Sequence, residues 1–420
     1  MRISDHSVPV VVLKSQHHSG LCIARSLGRL GVPVYVVDSR RLAPAASSRY
    51  CAGRLTWDLD RSPASESVEY LLGVAKRIGG RPILVPTFDT TAIFLAENAG
   101  RLRSGFRFPA QDPALVTSLY SKKGMHFLAK RCGVPTPETF FPQSRAEVVQ
   151  FTGRTAFPVM VKPIEDRLSR GRAGTTKCVV HGRQELLDVY DRIEDPRQPN
   201  MLLQEYIPGA ADTIVMFNGY FDDNSECLVG FTGKKLRQFP AYTGPTCLGI
   251  CETNQTVVRL TKLFMKAIGY RGILDIGYRY DARDGQYKVL DVNPRIGSTF
   301  RLFTAENGLD VVRALYLDMT GQPVPEAQVV EGRKWIVEEY DLVSSVRYLM
   351  DGELTPAGWI RSFRGVQETT CFAPDDLLPM LAIFMQDFRE LCGRLRLRAK
   401  RPSTGRATAK RGLPELNPLP

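Results

Sequence analysis

The chain is 420 residues long with 43% hydrophobic and 24% charged residues, ordinary proportions for a globular protein but too many residues for one core, so two or three packed units are expected. No apolar run approaches the roughly 20 residues of a membrane helix, and the start, MRISDHSVPVVVLKS, reads as a strand and not as a signal peptide. Much of the net charge of +12 lies from Arg394 onward, where eight basic residues face one acid, Glu415; without aromatic interleaving or a recognition helix, this argues against a nucleic-acid partner.

Residues 8 to 38 read strand, helix, strand: VPVVVL, then GLCIARSLGRLG with Leu21, Ala24, Leu27 and Leu30 at helical spacing, then VPVYVVD. This is a βαβ unit and hence a parallel sheet. The intervening turn, SQHHSG, has one glycine and lacks the dinucleotide fingerprint. His17 and His18 lie in it where a ligand could sit, although two turn histidines are more often merely exposed. PILVPT (82–87) is a second buried parallel strand, ending in Phe88 and Asp89. Nine cysteines are scattered without a C-x-x-C pair. Cys247 and Cys251 have nothing nearby to complete a zinc site, which fits reduced thiols in the cytoplasm.

From Ser121 the pattern changes. SKKGMHFLAKRCG predicts an amphipathic helix closed by Gly133, and FPVMVKP (157–163) a short strand carrying Lys162 at its end. EDRLSRGRAGTTK is a glycine-containing basic loop that could fold over phosphates. MLLQEYIPG (201–209) is a strand stopped by Pro-Gly, and LVGFTGKKLRQFP (228–240) one with Lys234, Lys235 and Arg237 near its end. VVRLTKLFMKAIGY and LDVVRALYLDMTG are helices on either side of a hairpin, ILDIGYRYD and QYKVLDVNP, whose loop around Asp284-Gly285 is longer than two residues. On its second strand Asp291, Asn293 and Arg295 fall at successive same-face positions. A carboxylate, a carboxamide oxygen and a guanidinium on one face suit a hard cation bridging phosphate oxygens.

Taken in order, these pieces resemble the carboxylate–amine ligases of the ATP-grasp superfamily, closest to the D-aspartate ligase-like branch, from about residue 8 to about residue 325. The resemblance implies an α/β ATP-grasp fold. A Rossmann-like parallel-sheet domain (1–118) precedes two α+β subdomains (119–200 and 201–325) that clamp ATP. An extension (326–393) follows, then a basic tail (394–420) that reads as disordered from its composition. The resemblance implies that Lys122, with Lys123 as its less favoured neighbour, and Lys162 hold nucleotide phosphates. Gln204, Glu205, Tyr206 and Ile207 would line the adenine strand, Asp212 would accept ribose hydroxyls, and Gly171 and Gly174 would belong to the phosphate-covering loop. Lys234 and Arg237 match basic residues near the transferred phosphate, and Arg295 with Arg301 would face the reacting carboxyl group. Asp291 and Asn293 match metal ligands. The family's other carboxylate falls at Gly277, so Asp275, two residues earlier on the same face, is the candidate to substitute for it, to reach the ion through water, or to bind substrate instead.

The activity so implied is ADP-forming amide or peptide bond synthesis through an acylphosphate, using ATP with Mg²⁺ (or Mn²⁺) and small-molecule carboxylate and amine substrates, an amino acid among them. The alternative is a catalytically impaired nucleotide-binding regulator or scaffold, which Gly277 favours. A homodimer is a candidate assembly. Residues 375–401 form an apolar segment running into a basic one; a packed helix with a solvated tail is the preferred reading, with contact to an anionic membrane surface the alternative. GRKWIVEEYDL reads as a further strand, with Trp335, Tyr340 and Arg347 candidates for shaping an acceptor pocket.

Overall fold

The computed structural model describes residues 1–385 apart from 17, 41–42, 166–176 and 196. Three sheets follow one another along the chain. The first contains β1 (Val10–Leu13), β2 (Val34–Asp38), β3 (Cys51–Thr56) and β4 (Ile83–Pro86) in the order β3-β2-β1-β4. All its pairings are parallel. The expected βαβ start is therefore present, with helix His18–Gly28 as its crossover. Both faces of β1 are covered, which is why it reads as an unbroken apolar run.

The second sheet contains β5 (Thr139–Phe140), β6 (Val159–Pro163), β7 (Cys178–Val180) and β8 (Met201–Glu205), antiparallel in the order β5-β8-β6-β7. Because β8 sits between β5 and β6, this sheet runs on to Glu205, past the division expected at residue 200. The preceding helix, Lys122–Arg131, starts where Ser121 Oγ accepts from the Gly124 amide at 3.4 Å and ends before Gly133, whose φ of +69° no side-chain-bearing residue adopts readily.

The third sheet has seven strands: β9 (Ile214–Phe221), β10 (Cys227–Gln238), β11 (Thr246–Cys251), β12 (Gly272–Asp281), β13 (Gln286–Asn293), β14 (Lys334–Ile336) and β15 (Val366–Thr369), ordered β13-β12-β9-β10-β11-β14-β15. One face packs through Met216, Tyr220 and Phe231 onto helix Val311–Met319 and, with it, onto Ile23 and Leu27 of the first crossover helix. The other packs through Phe217, Leu274 and Tyr278 onto Phe264 of helix Gln255–Ala267 and Met125 and Leu128 of helix Lys122–Arg131. The extension from residue 326 supplies β14 and β15 to this sheet. The long strand expected over GRKWIVEEYDL stops at Ile336 and gives way to helix Glu338–Met350. Glu338, Glu339 and Asp341 in that helix's first turn complement the partial positive charge of its N-terminus. Trp335 is fully buried and Arg347 pairs with Asp351 at 2.7 Å on the surface, so neither shapes a pocket. Tyr340 stacks on Phe239, ring centroids 4.8 Å apart.

Candidate active site

A cavity of about 670 Å³ opens between the second and third sheets. Its third-sheet wall follows from strand alternation. On β12, Asp275, Gly277 and Arg279 share the cavity face, while Leu274, Ile276 and Tyr278 turn into the core behind. On β13, Leu290 is an extra residue between the pairs Gly277↔Asp291 and Tyr278↔Val289. This bulge lets Val289 and Val292 both enter the core while Asp291 and Asn293 face the cavity. β13 ends at Asn293, so Arg295 arrives by a turn, its amide donating to the Asn293 carbonyl at 2.8 Å.

Asp275 lies opposite Asn293 and Gly277 opposite Asp291. The Asn293 amide nitrogen donates to Asp291 Oδ2 at 3.2 Å and to Asp275 Oδ2 at 3.3 Å, and Asn218 donates to Asp275 Oδ1 at 3.2 Å. Two carboxylates thus converge on one donor. Burial pushes the Asp275 carboxyl up to about 6; Arg295 opposes this and the neighbouring charge of Asp291 adds to it. A Cβ on Gly297 would fall 2.5 Å from the Asp275 carboxyl carbon, so that glycine leaves the room Asp275 occupies. A Cβ on Gly277 would lie 2.7 Å from Asp291 Oδ1, so the missing side chain leaves the Asp291 carboxylate in its place. This donor set holds only oxygens once the Asn293 amide turns its carbonyl inward, and it suits a hard cation such as Mg²⁺.

Across the cavity, Lys162 at the end of β6 donates to Gln204 Oε1 at 2.7 Å, and Gln204 in turn donates to Thr139 Oγ1 at 3.0 Å. Burial depresses the Lys162 ammonium to about 7, with Lys177 and Lys122 pushing the same way and Asp291 opposing them. Lys122, Tyr206 and Ile207 line the same space. Glu205 lines it too, but its carboxylate points away: it accepts from Lys288 at 3.0 Å, Arg283 at 2.7 Å and the Glu138 amide at 2.9 Å. Only its backbone remains to face a ligand.

Four expected site residues lie elsewhere. Lys234 pairs with Glu252 at 2.5 Å and is absent from the cavity lining; its neighbour Lys235 lines the cavity instead, buried enough that its ammonium is depressed. Arg237 follows a bulge at Leu236 that breaks the alternation, and it is buried against Asp341 at 2.7 Å. Arg301 is engaged by Asp310 and by Glu368 at 2.8 Å, a carboxylate it shares with Arg333. Asp212 is exposed in the short helix Ala211–Thr213, outside the lining. Gly171 and Gly174, like His17 and the tail from residue 394, lie outside the described residues.

Sequence reasoning also misses Asp89 and Arg279. Asp89 sits just beyond β4 and holds the Arg295 guanidinium at 3.0 and 3.3 Å, joining the first sheet's edge to the metal-type cluster. Its only signal in the sequence is its place at the C-terminal end of a parallel strand. Arg279 is two residues on from Gly277 on the cavity face and lies 5.9 Å from the Tyr206 ring centroid; alternation alone points to it.

No family model matches the chain. It is 25% identical over 324 residues to a D-aspartate ligase of Enterococcus faecium, covering 74% of this chain and 76% of that protein. An L-amino acid ligase of Bacillus licheniformis has the same fold, with a TM-score of 0.59 at 14% identity over 79% of each chain. The chain is similar, in sequence and in fold, to carboxylate–amine ligases of the ATP-grasp superfamily. Among other solved ATP-grasp structures, the biotin carboxylase domain of a Hydrogenobacter thermophilus 2-oxoglutarate carboxylase, in complex with MgADP, aligns with a TM-score of 0.56 at 17% identity over 77% of this chain and 72% of that one.

The depressed Lys162 gives a pH test. Its ammonium is charged below about 7, and phosphate binding uses the charged form. If Lys162 holds a nucleotide phosphate, as the resemblance implies, ATP binding between pH 7 and 9 is expected to take up a proton, and affinity to fall by up to about tenfold per pH unit. Calorimetry at pH 8 in buffers of different ionisation enthalpy reads that proton directly. The Lys162→Gln variant should bind more weakly and show less uptake; equal uptake in both proteins would exclude Lys162 as its source.

Proposed function

We propose that this chain couples an amino acid to a second small molecule, activating a carboxylate with ATP and transferring the acyl group to an amine. The observation that carries this is the placement of Asp275, Asp291, Asn293 and Arg295 on one wall of a cavity whose other wall presents Lys122 and Lys162. Lys122 and Lys162 would hold the nucleotide phosphates, and the backbone of Glu205, Tyr206 and Ile207 the adenine edge. Asp291, Asn293 and Asp275 would hold Mg²⁺, or Mn²⁺ with the same oxygen donors. When bound, the ion neutralises charge on the phosphate oxygens.

Arg295, oriented by Asp89, would position the acid substrate's carboxylate so that its oxygen attacks the γ-phosphorus and ADP leaves. Lys235, the cation found on the cavity face of β10, would take the role expected of Lys234 and Arg237 beside the transferred group. The amine then attacks the acyl carbon and phosphate departs with the acyl oxygen. No enzyme nucleophile takes part. Small molecules are the only partners this reading requires, with no nucleic acid, and a homodimer is its candidate assembly. Among the described residues no helix is long and apolar enough to cross a membrane, and the eight cysteines among them are all free, which supports a cytoplasmic setting. The division into a first domain, two clamp subdomains and an extension is part of the same proposal.

The test is ADP release with Mg²⁺ across pairs of amino acids. The expected result is release that requires both an acid and an amine, with the coupled product found by mass spectrometry. ATP binding with no release for any pair would instead favour the nucleotide-binding regulator, the reading that Gly277 opposite Asp291 supports.

A further inference from the structure

Away from this cavity, three potential ligand atoms from distant parts of the chain meet. His18 opens the first crossover helix, Glu339 lies in the first turn of helix Glu338–Met350, and Cys371 follows β15. Their ligand atoms lie within 4.8 Å of one another. His18 is 9% exposed and Cys371 4%. The Cys371 thiol donates to Glu339 Oε2 at 2.7 Å. His18 Nε2 is 3.2 Å from Glu339 Oε1, an ion-pair distance, and Nδ1 has no hydrogen-bond partner among the described residues.

A buried imidazole whose Nδ1 has no partner among the described residues, and whose Nε2 meets only the Glu339 carboxylate, is an unmet demand in an otherwise well-bonded region. Thiol, carboxylate and imidazole together are a borderline-soft donor set. We propose that His18, Glu339 and Cys371 bind one Zn²⁺ ion, with water in the fourth position. A tetrahedral zinc with bonds of about 2.0–2.3 Å has ligand-to-ligand edges of roughly 3.3–3.8 Å. Separations within 4.8 Å therefore close onto an ion by side-chain rotation. The carboxylate of Glu338 already fixes the Cys371 loop, accepting from the amides of Thr370 at 3.0 Å, Cys371 at 3.0 Å and Phe372 at 2.8 Å. This is the outer support expected around a metal ligand. On binding, the Cys371 Sγ–H bond breaks, its proton goes to solvent, and the thiolate takes the ion.

The ion would clip the extension to the parallel sheet, beside the buried Arg25–Asp376 pair at 2.9 Å that already joins them. The clip is independent of the ligase reading and uses none of its residues.

Zinc content decides it. The full-length protein, dialysed exhaustively against metal-free buffer, is expected to retain about one zinc per chain. Cys371→Ala and His18→Ala should fall to background, whereas Asp291→Ala, altered in the magnesium-type cluster, should keep its zinc. Cobalt-loaded wild type should show thiolate-to-cobalt charge-transfer absorption, a readout that stands even if the variants fail to fold. Zinc-free wild type, zinc retained by Cys371→Ala, or cobalt protein without that absorption would each overturn the site.

Discussion

Substituting Asp291 by alanine is expected to cut amine-dependent ADP release by about 10³-fold or more, with little change in thermal stability. The two halves of this expectation have one cause. Asp291 is exposed on the cavity wall, and the Asn293 amide that donates to it also donates to Asp275. Its charge also raises the Asp275 carboxyl. Removing it therefore relieves like-charge repulsion in the free protein while taking away the carboxylate that would hold the cation beside the transferred phosphate. A melting curve and a coupled ADP assay on the same sample separate the two effects. Undiminished turnover would sink the metal assignment. Collapse of the fold would show instead that Asp291 is structural, which its exposure argues against. Glycine at 277 makes the expected loss steep, because the residue paired with Asp291 brings no carboxylate that would keep the ion.

The parts of this site legible in the sequence are those that strand periodicity carries. Asp291 and Asn293, two apart, face the cavity together, and Lys162 ends its strand beside Gln204 of the neighbouring strand. What could not be read depends on one-residue irregularities and on distant partners. The bulge at Leu236 separates Lys235 from Arg237, and nothing in KKLRQ announces it. Arg301 looks available until Asp310 and Glu368 are seen to claim it. Asp89 and Arg295 meet across 206 residues. The same distinction holds for the fold. The βαβ start is written in apolar runs and a glycine-proline stop, whereas β15 alternates only weakly and finds its place by pairing in parallel with β14. His18 stands out in the first turn, but its ligand-like neighbours come from the far end of the chain.

Arg237 gives the largest expected effect on stability, and the prediction follows from its displacement out of the cavity. Its guanidinium meets Asp341 in a two-pronged pair at 2.7 and 2.9 Å and donates to Ser362 at 2.9 Å. Asp341 is held in addition by Trp359 at 3.3 Å and Ser345 at 3.4 Å. The two residues are only 5% and 1% exposed. Arg237→Ala leaves a carboxylate buried without its countercharge, and unfolding stability is expected to fall by about 3–5 kcal/mol. Removing both charges in Arg237→Met/Asp341→Leu leaves neither one uncompensated, so most of that loss should be recovered, because the cost lies in the stranded charge more than in the missing attraction. Denaturant titrations of Arg237→Ala and of the double variant measure the difference. Below the melting temperature of each variant, kcat per folded molecule should stay near wild type, since Arg237 does not line the cavity. The opposite pattern, unchanged stability with lost turnover, would return Arg237 to the reacting phosphate and require β10 to shift register at its bulge when substrates bind.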